Sequence, residues 1–244
     1  MKNYFEYPFN ESVKERLIQY YENLDLNQHS ENHQQKAELK LARIFRQLSL
    51  SGKSTVLDLG CSRGYISRHL ANQVQKVIGI DISENIIKSN ISETAVKNLE
   101  FHIYDGVNIP LPDNSIDVVF LIDVLEHAFD PDSLIQSIYT KLKNQGALVI
   151  EVPFTGWLSE AMVGDYHQGH LRYYDPNYLK SYLENNNFTV ESVRTYNSVP
   201  FSSKLLRLPV LWKTFDFILN LIPTKLFPYF GEIIIVCHKK EKHD

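Results

Sequence analysis

The chain has 244 residues, is 43% hydrophobic and 22% charged, and carries a formal net charge of −4, values typical of one α/β domain with appended segments. This charge gives no field that would attract nucleic acid, so we expect no nucleic-acid partner. With two cysteines, no visible signal peptide and no run of 18 apolar residues, the sequence predicts a cytoplasmic chain without a disulfide framework or a spanning helix.

The first 50 residues predict two helices. Asn10 could cap a helix over 11–24, and apolar residues recur at helical spacing over 31–48. His29 and His33 lie four residues apart, but no third ligand is nearby in the sequence, so we expect no metal site.

Residues 55–83 predict the unit around which the domain is built. An apolar strand over 56–59 leads into a glycine turn over 60–64, a helix over 65–71 and a second strand that ends on Asp81. The glycines of such a turn let backbone N–H groups approach a ligand at a helix N-terminus, and the carboxylate is placed to accept hydrogen bonds from a ribose. The sequence therefore predicts a nucleoside-binding site.

The spacing of the turn indicates which nucleoside. A dinucleotide fingerprint would need glycine at the positions of Ser62 and Tyr65. The pattern present, D-x-G-x-x-x-G from Asp58 through Gly60 to Gly64, resembles motif I of class I S-adenosylmethionine (SAM)-dependent methyltransferases, D/E-x-G-x-G-x-G. Ser62 replaces the middle glycine, and a generic strand–helix turn of another α/β protein remains the alternative.

Two further segments carry the same resemblance. The stretch 111–131, with its Leu-Glu-His at 125–127, is similar to the LPF-x-D…LEH-x-x-D-P segment of methyltransferases that resemble the ubiquinone and menaquinone biosynthesis enzymes. The stretch 169–188 is similar to their H-x-R-x-[FY] segment. The family implies a Rossmann-like seven-stranded, mostly parallel sheet of order 3-2-1-4-5-7-6, flanked by helices.

The remaining strands are expected at 99–104, 118–122, 147–152, 188–196 and 232–238, with Gly146 breaking the helix before the fifth. In an open α/β sheet the ligand crevice lies beyond the carboxyl ends of the strands. Four residues that follow strands should therefore converge on one face: Gly60, Asp81, Asp105 and Asp123.

Two long connections complete the predicted domain, 51–244, with lid segments at 154–175 and 197–231. The first is rich in aromatic and histidine residues. The second is about 35 residues long and carries apolar residues at helical spacing. It could be a helix packed into the domain, an apolar substrate wall, or a membrane-surface or dimer contact through 205–230. Residues 1–50 would form a helical cap over the cleft, as the family implies, or merely cover one face of the sheet.

The resemblance implies SAM as cofactor and assigns roles by position. The turn would lie near the methionine moiety, Asp81 at the ribose, Asp105 at the adenine amine, and Ile122 and Asp123 beside the sulfonium. For Asp105 a turn-forming Asp-Gly pair is the alternative. The predicted cofactor contacts are Asp58, Gly60, Cys61, Ser62, Gly64, Asp81, Ile82, Asp105, Gly106, Ile122 and Asp123.

The expected function is methyl transfer to a hydroxyl of a small or lipid-like metabolite, such as a quinone precursor, a glycolipid or sugar, or a secondary metabolite. His170 and His127 are the candidate bases, and catalysis by proximity alone is the alternative. A nicotinamide-dependent oxidoreductase and a non-catalytic SAM-binding protein are the rival functions. The sequence leaves the acceptor and the oligomeric state open.

Overall fold

The computed structural model describes residue 19 and residues 30–155, 170–198, 217–222 and 230–241. The predicted helix over 11–24, residues 156–169 of the first lid segment, and most of the 197–231 connection lie outside this part of the chain. None of the helices described combines the length and apolar composition needed to cross a lipid bilayer.

A seven-stranded sheet of order β3-β2-β1-β4-β5-β7-β6 forms the centre of the fold, which confirms the predicted topology. All strands pair in parallel except β7, which runs antiparallel between β5 and β6. The strands are β1 Thr55–Leu59, β2 Lys76–Asp81, β3 Leu99–Ile103, β4 Ile116–Ile122, β5 Leu142–Thr155, β6 Phe188–Ser198 and β7 Phe230–Lys239.

Five helices cover the two faces of this sheet, and three of them begin at side-chain caps. Ser83, Asp130 and Asp175 each accept a hydrogen bond from a backbone N–H of the first turn, which satisfies donors that a helix start leaves unpaired. The helices are α1 Ser30–Ile44, α2 Tyr65–Ala71, α3 Glu84–Glu93, α4 Pro131–Lys141 and α5 Pro176–Asn185.

The apolar residues of β1 and β4 pack on both sides of the sheet. Val56 belongs to the buried cluster that includes α1 and α2, whereas its neighbour Leu57 belongs to the cluster under α4 and α5. Val118 and Val119 divide in the same way. Burial on both faces explains why these strands read as continuous apolar runs.

The start of β5 differs from the prediction. The helix α4 ends at Lys141 and β5 begins at Leu142, so Gly146 lies inside the strand and does not separate the two elements. The pairing with β4 shifts from Ile116 opposite Leu142 to Val118 opposite Ala147, which leaves an irregular stretch between them. A Cβ at Gly146 would lie 2.9 Å from the carbonyl oxygen of Lys143. Glycine is therefore needed for the close backbone approach of this irregularity.

Candidate functional site: a cavity at the carboxyl ends of the strands

The carboxyl ends of β1, β2 and β4 open onto one cavity of about 520 Å³. It lies where the strand order reverses between β1 and β4, which is the expected ligand crevice of an open α/β sheet. The predicted site residues that line it are Asp58, Gly60, Cys61, Ser62, Asp81, Ile82, Gly106, Ile122, Asp123 and His127. Gly64, Asp105 and His170 are outside the lining.

The turn after β1 requires a glycine at its first position. Gly60 has φ 77°, in the left-handed region, and a Cβ there would lie 2.3 Å from Cγ2 of Val124. The N–H groups of Gly60 and Cys61 both donate to the carbonyl of Ile80, at 2.8 and 3.0 Å. The turn is thus bound to the end of β2 and passes closely under Val124.

Ser62 occupies a left-handed conformation that glycine adopts without steric cost. Its φ is 44°, which costs a residue with a Cβ on the order of 1–2 kcal/mol. Two hydrogen bonds hold it there, from its N–H to Asp81 (2.8 Å) and from the Asn90 side chain to its carbonyl (2.6 Å). The replacement of the middle glycine therefore leaves the path of the turn intact.

Asp81 presents a carboxylate that the backbone fixes in place. One oxygen accepts the N–H of Ser62 at 2.8 Å and the other accepts the N–H of Ser83 at 3.0 Å. The residue is 9% exposed and lines the cavity. A carboxylate oxygen can accept more than one hydrogen bond, so this group remains able to accept from a ligand hydroxyl.

Asp58 is a buried carboxyl beneath the turn. It is 2% exposed, and its Oδ2 accepts a hydrogen bond from the hydroxyl of Ser67 in α2. Burial raises the pKa of Asp58 to about 6, although the hydrogen bond from Ser67 opposes this shift. The group therefore joins the turn to α2 at some electrostatic cost near neutral pH.

This cost predicts how Asp58→Asn changes stability with pH. Because folding raises the pKa from about 4 to about 6, the ionised carboxyl lowers the free energy of unfolding as pH rises through that window. Relative to wild type, Asp58→Asn should therefore be more stable at about pH 7.5 than at about pH 4.5, by about 2 kcal/mol. Urea unfolding at both pH values measures this. Asp113→Asn, at an exposed site, is the control, and a difference independent of pH would contradict the prediction.

Asp105 forms the turn that follows β3. Its Oδ1 accepts the N–H groups of Val107 and Asn108 at 2.9 and 2.6 Å, and its Oδ2 accepts the side-chain amide of Asn108 at 2.7 Å. This geometry matches the turn-forming alternative. Its neighbours Tyr104 and Gly106 line the cavity, whereas contact between Asp105 and adenine stays a prediction.

Helix α1 contributes a cation to the cavity that the sequence did not single out. Lys40 lines the cavity, and its Nζ lies 2.7 Å from Asp123 and 2.6 Å from Glu151, which is 0% exposed. Burial would lower the pKa of Lys40, but the carboxylates outweigh it and raise the pKa well above its usual value. Arg43, one turn later, pairs with Glu232 of β7. The available signal was that both cations share the apolar face of α1.

Asp123 and Glu151 respond differently to this shared cation. Burial would raise the pKa of Asp123, but Lys40 outweighs it and the net shift is downward. Burial raises the pKa of Glu151 well above its usual value even though Lys40 opposes it. One ammonium group serves both carboxylates, and Oε2 of Glu151 has no hydrogen-bond partner among the described residues. The buried carboxylate is thus the less well compensated of the two.

A second polar group lies after β4, where a short 3₁₀ turn covers Leu125–His127. His127 lines the cavity, and the ring of His170 lies behind it in an edge contact with 4.6 Å between centroids. Glu126 is 0% exposed, with Oε1 3.7 Å from Nε2 of His127. The possible ligand atoms of Glu126, His127 and His170 lie within 4.8 Å of one another, a set of residue types that can hold a metal ion.

The residues matched by a known family span most of the site. Residues 29–193, from α1 into β6, match the family described as "Methyltransferase domain", and this is more than half of the chain. The chain belongs to this methyltransferase family.

Three comparisons show what the methyltransferase is similar to. It is 31% identical over 112 residues to a ubiquinone biosynthesis O-methyltransferase of Coxiella burnetii, which covers 45% of the chain and 47% of the relative. It is 31% identical over 121 residues to a tRNA U34 carboxymethyltransferase of Desulfotalea psychrophila, which covers 48% of the chain and 38% of the relative. The chain thus spans less than half of the length of either relative.

The third comparison is with the solved structure of phosphoethanolamine N-methyltransferase 2 of Haemonchus contortus in complex with S-adenosyl-L-methionine. It has a TM-score of 0.57 at 17% identity, and covers 84% of the chain and 53% of that structure. At this identity the likeness shows the fold alone. The family membership confirms the predicted enzyme class and its cofactor, SAM.

Proposed function

We propose that this methyltransferase transfers the methyl group of SAM to a hydroxyl group of a small or lipid-like metabolite. The observation that carries the proposal is that one cavity contains both the fixed carboxylate of Asp81 and the imidazole of His127. The first suits a ribose and the second suits a hydroxyl that must lose its proton.

At the cofactor end, the turn and the neighbouring strand tips supply the required contacts. The hydrogen-bonded oxygens of Asp81 would accept from the ribose hydroxyls. Ile82, Tyr104 and Gly106 would surround the adenine. Ile122 and Asp123 would lie beside the sulfonium, where the carboxylate of Asp123 favours a positive charge.

At the acceptor end, the protein needs only to position the hydroxyl and remove its proton, because the sulfonium already makes the methyl group electrophilic. Orientation alone contributes on the order of 7–11 kcal/mol, and a positioned base about 10²–10⁴-fold in rate. Of the two candidate bases, His127 lines the cavity and His170 packs behind it, which favours His127 as the group that takes the proton.

The acceptor class has one further support and one direct test. The relative from Coxiella burnetii is named an O-methyltransferase, in agreement with a hydroxyl acceptor. Incubation with cell extract and SAM labelled in its methyl group should place the label in the organic-solvent or small-molecule fraction. Label that enters only RNA or only protein would contradict the proposed acceptor.

The binding role of Asp81 predicts that Asp81→Ala weakens the affinity for S-adenosylhomocysteine at least tenfold. The ribose would lose a charged acceptor worth about 1.5–3 kcal/mol. Titration calorimetry measures the dissociation constant, and an unchanged value would count against the assignment. Glu84→Ala, at an exposed position in the next helical turn, is the matched control and should bind as wild type does.

A thermal-shift screen separates the proposal from its rivals. Stabilisation by S-adenosylhomocysteine and none by NAD(H) is the expected result. The reverse pattern would indicate a nicotinamide-dependent oxidoreductase. Binding of the cofactor without label transfer to any extract fraction would indicate a non-catalytic SAM-binding protein.

A further inference from the structure

Glu126 is a buried carboxyl that the fold leaves without hydrogen bonds. The residue is 0% exposed, and neither Oε1 nor Oε2 accepts a hydrogen bond from any residue in the described part of the chain. Removing a carboxylate from water without compensation costs several kcal/mol. A carboxyl that pairs with nothing in the core is therefore expected to have a function nearby.

The nearest partner of Glu126 is the imidazole that lines the cavity. Its Oε1 lies 3.7 Å from Nε2 of His127, which is longer than a hydrogen bond but within ion-pair distance. In the absence of a substrate, such catalytic contacts are often long and tighten when the substrate binds. The other charged or titratable groups that face this carboxyl are Asp123, Lys40, Glu151 and Tyr174.

The segment at 170–174 holds this arrangement from the outside. The N–H of Leu171 donates to the carbonyl of Glu126 at 2.8 Å, and Arg172 donates to the carbonyls of Ala128 and Phe129. The hydroxyl of Tyr174 donates to the carbonyl of Leu125 at 3.4 Å. These bonds fix the backbone of the turn, so the position of the Glu126 carboxyl is set by the fold.

We propose that Glu126 is a positioning residue, whose carboxylate holds the Nε2–H edge of His127 and leaves Nδ1 free of a proton to act as base. The inference rests on the proposed hydroxyl methylation. Burial of a carboxylate also makes it respond strongly to a positive charge that forms beside it, since little water screens the interaction.

The chemical step balances without any further reactant. The S–CH₃ bond of the sulfonium breaks with its electron pair retained on sulfur, and the O–CH₃ bond forms. The hydroxyl proton passes to Nδ1 of His127, so the positive charge moves from sulfur to the imidazolium beside Glu126. The proton then leaves to solvent, and S-adenosylhomocysteine and the methyl ether are the products.

The test measures which nitrogen of His127 carries the proton, by long-range ¹H–¹⁵N correlation NMR of the complex with S-adenosylhomocysteine. His127→Gln identifies the signal among the nine histidines of the chain. Wild type should show the proton on Nε2. Glu126→Gln, which keeps the shape but not the charge, should lose this preference, because its amide group can donate to Nε2.

The matched control is Tyr174→Phe, which removes a hydroxyl from the same turn and leaves the carboxyl in place. It should keep the wild-type tautomer. A proton on Nδ1 in wild type, or the same tautomer in wild type and Glu126→Gln, would overturn the proposal. So would a stoichiometric metal in the purified protein whose removal by EDTA changes the His127 signal.

Two further measurements separate this proposal from the proposed function. All variants should bind S-adenosylhomocysteine within twofold of wild type by calorimetry, and failure of wild type to bind would instead contradict the cofactor assignment. With an acceptor obtained from the extract experiment, Glu126→Gln should lower kcat about 100-fold and leave KM for SAM unchanged. An unchanged kcat would show that the carboxylate has no part in the reaction.

Discussion

Gly60→Ala should lower the free energy of unfolding by about 2–4 kcal/mol and weaken S-adenosylhomocysteine binding by about 100-fold. The added Cβ would lie 2.3 Å from Cγ2 of Val124, and the left-handed φ of 77° would strain any residue that has a Cβ. The turn can relieve the overlap only by moving away from β2. This would break the bonds of Gly60 and Cys61 to Ile80, and with them the cofactor end of the cavity.

The overlap and the backbone strain can be measured separately. Gly60→Ala combined with Val124→Ala removes the overlapping methyl group and should recover the steric share of the loss, leaving about 1–2 kcal/mol of strain. Gly52→Ala is the matched control, because a Cβ there meets only one atom, 3.9 Å away. If urea unfolding found Gly60→Ala as stable as Gly52→Ala, the described turn would be wrong.

Lys40→Met should be the most destabilising single substitution in helix α1, by about 3–5 kcal/mol at neutral pH. It removes the ammonium that lies 2.6 Å from the buried Glu151 and 2.7 Å from Asp123. The pKa of Glu151 is already raised by burial, so without Lys40 its carboxyl will take up a proton more readily. The folded variant then binds a proton that the unfolded chain has lost, and its deficit should shrink as pH falls from about 7.5 to about 5.

The charge left behind, and not the lost side chain, is the expected cause. Lys40→Met combined with Glu151→Gln should therefore be more stable than Lys40→Met alone at neutral pH. Lys36→Met, on the same helix and exposed, is the matched control and should change stability by less than about 0.5 kcal/mol. Denaturant unfolding of the four proteins measures these differences. Equal deficits in the single and double variants would show that an unpaired carboxylate is not the cause.

The positions of the strand tips could be predicted because they depend on short-range patterns. Glycines at 60 and 64, an acidic residue directly after an apolar run at 81, and capping residues such as Ser83 each act within a few residues of the chain. The parallel order of the strands then brings these tips to one edge. For this reason ten of the predicted site residues line a single cavity.

Asp105 shows where such patterns are ambiguous. The same Asp-Gly pair suits an adenine contact and a turn, and only the positions of Val107 and Asn108 show that its oxygens already accept hydrogen bonds from the backbone. Gly146 is a similar case, because its need for glycine comes from the neighbouring backbone within β5 and not from the end of a helix.

The sequence by itself determined the family, the sheet order and the nucleoside end of the cavity, since local patterns and their spacing specify each of them. Only the tertiary structure decided what lies opposite. Lys40 reaches Asp123 and Glu151 across 83 and 111 residues of chain, and His170 meets His127 across a long connection. Such contacts depend on how separate elements pack, and no periodicity or motif within one element encodes them. The physical reason is that burial and charge pairing depend on distances in space, whereas a sequence pattern records only distances along the chain.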